Sequence, residues 1–107
     1  MRIMRILFLF LLLLTGCATL SYFPSIDRVY TPTSHVEVLF REPQKDYIII
    51  GKIISEGDIW SHKTLLEKIK KKAMQVGADA ILVTEAGHFQ GEFGTCQKVE
   101  ALALKWK

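Results

Sequence analysis

Along the chain, hydrophobic and polar positions change period several times, and each change marks an element. Val36, Val38 and Phe40 alternate with His35, Glu37 and Leu39, the period of two expected of a strand covered on one face. Pro43 ends that run. After a polar turn from Arg41 to Asp46, the β-branched stretch Tyr47-Ile48-Ile49-Ile50-Gly51-Lys52-Ile53-Ile54 predicts a central strand, paired with the first as a hairpin. Gly57 and Asp58 break it. Ser61 then caps a helix running to about Val76, with Gly77 at its carboxyl-terminal end. At helical spacing Leu65, Leu66, Ile69, Ala73 and Val76 fall in a sector of about 100°, the stripe that packs one helix onto one sheet face. Ala80 to Thr84 predicts a third strand, and the strand-helix-strand passage suits a right-handed crossover. Gly87, Gly91 and Gly94 predict a loop from Gly87 to Thr95, and the alternation from Cys96 to Trp106 predicts the fourth strand.

The expected fold is therefore of the α/β class, an α+β two-layer sandwich in ββαββ order, with one helix on a roughly four-stranded mixed sheet. This domain occupies residues 35–107. Before it, Ala18 to Ser34 carries Pro24, Pro32 and several Ser and Thr without a strand or helix period, which predicts a tether. Tyr22, Phe23, Ile26, Val29 and Tyr30 are too apolar for a freely solvated linker, so part of that segment is expected to lie against the domain.

The amino terminus has a different pattern. Arg2 and Arg5 precede nine unbroken apolar residues, Ile6 to Leu14, the cationic head and greasy middle of a secretory signal. The run is too short to span a bilayer, which takes about 20 apolar residues. It leads into Leu14-Thr15-Gly16-Cys17, which resembles the lipobox of bacterial lipoproteins. That resemblance implies a signal peptide over residues 1–16, cleavage before Cys17, and acyl chains on the Cys17 sulfur and amine. It divides the chain into 1–16, a lipidated cysteine and tether over 17–34, and the domain. Two or more acyl chains anchor stably where one holds only reversibly. Ala18 stands where an aspartate retains enteric lipoproteins in the inner membrane. The expected address is the outer membrane, lipid-anchored, on the periplasmic face.

Composition changes the picture once the signal is set aside. The 107 residues carry a formal charge of +3, and the sequence pI is near 9.0. Loss of Arg2 and Arg5 takes the 14 basic side chains to 12, against 11 acidic ones. No general excess of positive charge remains to favour nucleic acid.

Within the domain, Ala73-Met74-Gln75-Val76-Gly77-Ala78-Asp79-Ala80-Ile81 resembles the "A-x-x-x-G-A-[DN]-A-[IV]" stretch of the YbjQ-type domains and the RcsF-like envelope-stress lipoproteins. Ile50-Gly51-Lys52-Ile53 fits their "I-G-x-[IV]" strand, and Phe93-Gly94-Thr95 is similar to the YbjQ-type "Y-G-T". The resemblance covers residues 36 to 104. It implies either an envelope sensor or assembly module, as in RcsF-like members, or a pentameric metal- or small-ligand-binding module of YbjQ type. The paired cysteines of the RcsF-like pattern do not carry over, since Cys96 alone remains once Cys17 is lipidated.

Candidate chemistry is sparse. Cys96 reads as a small buried hydrophobe, with a bridge between chains or a reactive thiolate as the alternatives. His35, His62 and His88 lack metal-ligand spacing, although His88 and Cys96 flank one predicted loop. Lys63, Lys68, Lys70, Lys71 and Lys72 make the helix basic, as a solvated face or as a contact for anionic lipid or an acidic partner. Phe89 and Phe93 offer a second contact surface. There is no nucleophile elbow, phosphate loop or carboxylate pair, and no enzyme, cofactor or resident metal is expected. The expected partners are the membrane, through Cys17, and an envelope protein or component, with self-association as a further option.

Overall fold

The computed structural model describes residues 19–57, 62–91 and 94–107. The expected signal peptide, Cys17, the Ser61 cap and Phe93 lie outside the described residues. The elements run β1 (Thr19–Pro24), β2 (Glu37–Leu39), β3 (Tyr47–Gly57), α1 (His62–Gln75), β4 (Ala80–Gly91) and β5 (Gly94–Trp106). Five strands form one mixed sheet in the order β1-β3-β5-β4-β2, and α1 covers one face of it. The α+β class and the ββαββ order from β2 onward stand, with five strands in place of four.

The helix stripe reads as the sequence spaces it. Leu65, Ile69 and Ala73 are fully buried, and Leu66 and Val76 pack beside them. Opposite lie Ile50 and Ile53 of β3, Ile81 of β4, and Val99, Ala101 and Ala103 of β5. The two alanines of the central strand, both fully buried, leave room for the helix above them. Ser55 is also buried there, its hydroxyl without a hydrogen-bond partner among the described residues.

The carboxyl-terminal cap of α1 is a Schellman motif. Gly77 adopts φ 83°, its N–H donates to the Met74 carbonyl at 3.2 Å, and the Ala78 N–H donates to the Ala73 carbonyl at 2.9 Å. Asp79 then ties the turn to β5, accepting from the Trp106 N–H at 2.9 Å and from Lys105 Nζ at 3.3 Å.

Three expectations about connection need correction. The predicted tether is ordered from Thr19: β1 pairs antiparallel with β3, Tyr22 opposite Ile53 and Pro24 opposite Gly51. Its short alternation of Leu20 and Tyr22 with Ser21 is hidden among prolines and hydroxyl residues. The predicted hairpin of the first two domain strands does not form either. With β1 and β5 on its two edges, β3 has no free side, and β2 pairs parallel with β4 at the far edge, Val38 opposite Ile81. Lastly, the glycine-marked loop is a continuous hairpin in which β4 and β5 stay in register out to Gly91 opposite Gly94. The strands joined by α1 do run parallel, with β5 inserted between them.

Candidate functional site

At the edge made by β1 and the flank of α1, an exposed apolar side chain meets a row of lysines. Thr19 pairs with Glu56, and its hydroxyl donates to the Glu56 carboxylate at 3.3 Å. Leu20 remains 45% exposed. It shares a shallow depression of about 240 Å³ with Lys68, Lys71, Lys72 and Gln75, side chains spaced along one side of the helix. Tyr22, next inward, turns towards the core. Its hydroxyl donates to the Ile50 carbonyl at 3.2 Å, Lys72 Nζ lies 5.6 Å from its ring centre, and burial pushes the phenol up from its ordinary range.

Beyond Pro24 the chain folds over the end of α1. The Ser25 N–H donates to the Ile50 carbonyl at 3.0 Å, and Thr33 donates from its N–H to Met74 at 2.9 Å and from its hydroxyl to Ala78 at 2.7 Å. This wrap leaves a groove of about 330 Å³ lined chiefly by Tyr22, Pro24, Ile26, Arg28 and Tyr30. Arg28 and Lys105 both stand 5.3 Å from the Tyr30 ring centre, so the aromatic wall carries cations.

The face opposite α1 has no helix over it among the described residues. By strand alternation it presents Phe23, Ile49, Ile54 and Leu102, with Phe23 54% exposed and Ile49 40% exposed. At its centre Glu100 of β5 forms an ion pair with Lys52 of β3, and Lys98 Nζ approaches at 3.8 Å. The Lys52 ammonium, above all, holds the Glu100 carboxyl below the ordinary carboxylate range against the opposing effect of burial. A depressed carboxyl stabilises the fold above the value it has in the unfolded chain, and that stabilisation is lost as pH falls through the folded value. Urea unfolding across the acid range is expected to show this loss in the native chain. Glu100→Gln should cost about 1–2 kcal/mol at neutral pH and flatten the acid slope; an unchanged slope would assign the acid sensitivity elsewhere.

Two of the three histidines meet, and the third stands apart. His62, at the start of α1, places Nε2 3.2 Å from the Gly87 carbonyl and its ring 5.3 Å from that of His88. A register shift in β4 between Val83 and Glu85 turns His88 to the helix side, and no spacing rule in the sequence marks that pairing. His35 is exposed elsewhere, beside Lys70 and Lys71. Cys96 stands opposite Phe89, and His88 stands opposite Gln97, so alternation sends His88 and Cys96 to opposite faces. No group of three or more His, Cys, Asp or Glu side chains that could hold a metal occurs among the described residues. Cys96 is buried as expected, 4% exposed, but its sulfur is disulfide-bonded rather than a thiol. Phe89 lies on β4 and not in a loop.

No protein-family model and no curated protein matches this chain. Among solved structures it is similar to the crystal structure of FvfA, a Francisella virulence factor, with a TM-score of 0.60 and 22% identity over 80% of this chain and 97% of that chain. That likeness shows the fold alone, one helix on a mixed sheet.

Proposed function

We propose that the protein is an outer-membrane lipoprotein, anchored through acyl chains on Cys17, whose small α+β module binds an envelope protein or component on the periplasmic side without catalysis. The observation that carries the reading is the junction. A signal-like segment ends in Leu14-Thr15-Gly16-Cys17, and at Thr19 the chain is already hydrogen-bonded into the sheet. An anchor joined so closely to a folded unit fixes which surfaces face away from it. The exposed apolar side chains opposite α1, Phe23 and Ile49, are the contacts offered to a partner. The fold and the "A-x-x-x-G-A-[DN]-A-[IV]" resemblance are consistent with an RcsF-like module.

Metabolic labelling with palmitate tests the anchor. The native chain is expected to be marked and Cys17→Ser unmarked. The chain has two cysteines, so a Cys96 disulfide closed within one chain and acyl chains on Cys17 exclude each other. A thioether sulfur cannot be alkylated or enter a disulfide, so after reduction and denaturation a lipidated chain takes up one thiol label where a disulfide-closed chain takes up two. Two labels and no palmitate would overturn the reading.

A further inference from the structure

We propose that the face formed by Leu20, Lys68, Lys71 and Lys72 lies on the anionic headgroups of the membrane that holds Cys17, so that the domain rests flat against the bilayer instead of standing off on a tether. This rests on the lipid anchor proposed above and adds an orientation to it.

Distance makes the first case. Thr19 is held opposite Glu56 in the sheet. Cys17 is two residues before it, and two extended residues reach only about 7 Å. A tether running to Ser34 would have let the domain sample every orientation; an anchor of this reach keeps the β1 edge within one headgroup layer of the bilayer. The surface at that edge makes the second. Leu20, 45% exposed, is set among three lysines on one side of α1. An apolar side chain ringed by cations is the composition of an interfacial contact, where the apolar group enters the headgroup boundary and the ammonium groups meet phosphates. Lys72 holds its ammonium over the Tyr22 ring, 5.6 Å from its centre, which keeps the charge at the β1 edge. Among the described residues, the acidic side chains nearby are Glu56, hydrogen-bonded to Thr19, and Glu67, which faces Lys70 at 3.6 Å, so neither is taken up by Lys71 or Lys72.

The test uses the full lipidated protein, reconstituted in vesicles of phosphatidylcholine alone or with phosphatidylglycerol added. Lysines are acylated with a membrane-impermeant reagent and read one by one by mass spectrometry. Each lysine near an anionic surface gains about fivefold in binding, so the three together gain on the order of a hundredfold. Lys68, Lys71 and Lys72 are expected to react several-fold more slowly in the anionic vesicles, with Lys98 and Lys107 unchanged, and high salt should abolish the difference. Equal reactivity in both vesicle types overturns the proposal. So does protection that appears only when an envelope protein is added, which would make the patch a protein contact. The mass of the Cys17 peptide, read in the same experiment, reports lipidation separately, so loss of the anchor and loss of the membrane contact are distinguishable.

Discussion

Gly77→Ala is expected to destabilise the domain by about 3 kcal/mol, lowering its thermal midpoint by roughly 12 to 24 °C. Two causes add. At φ 83° a side chain brings Cβ against its own carbonyl, at about 1–2 kcal/mol. That Cβ would also stand 2.6 Å from the Thr31 carbonyl oxygen and 2.6 Å from Tyr30 Cβ, where the segment before β2 wraps the helix end. The Thr33 hydrogen bonds to Met74 and Ala78 hold that wrap in place, so it cannot retreat cheaply. Gly77→Asn tolerates the left-handed backbone but keeps the contact, so it should recover only part of the loss. Circular dichroism melts of the three chains decide it, and a shift of only a few degrees would mean the wrap gives way.

The second large effect is at Gly51. A Cβ built there would lie 2.6 Å from both the ring Cζ and the hydroxyl of Tyr22. Tyr22 cannot swing outward without giving up its hydrogen bond to Ile50 and its cover over the core. Gly51→Val is therefore expected to cost about 3 kcal/mol and to loosen β1 before the rest of the sheet. Amide exchange at Ser21 and Phe23 should accelerate far more than at Ala101 or Ala103. Combining Gly51→Val with Tyr22→Ala should cost less than the sum of the two, because the ring that collides is gone. Strict additivity would sink this account of how β1 is seated.

These two glycines also show how far the sequence could be read. Gly77 is legible because a helical stripe stops one residue before it and a strand begins three after it, so the cap needs no tertiary knowledge. Gly51 is not, because its partner is a tyrosine 29 positions earlier in a segment with no period of its own. The same reason hid β1: an edge strand bonded on one side needs no apolar alternation beyond the single residue it turns inward. Strand order was equally out of reach. Val36, Val38 and Phe40 give the strand, but whether it joins β3 or β4 depends on which edges other strands have taken. The hairpin tip was misread because Gly87, Gly91 and Gly94 suit a loop and an open strand end alike, and at Gly87 nothing lies within 4 Å of the place of a Cβ. For the candidate site, the lysines of α1 were legible by their spacing. That Leu20 joins them depends on β1.

One further consequence follows from strand order. The last thirteen-residue strand, β5, is the middle of the sheet and bonds to both β3 and β4. In synthesis those residues follow every strand they join, and until they emerge β1 with β3 and β2 with β4 have no ladder joining them. Such a sheet cannot close strand by strand from its amino-terminal side; it stays open until β5 is made and then joins in one step.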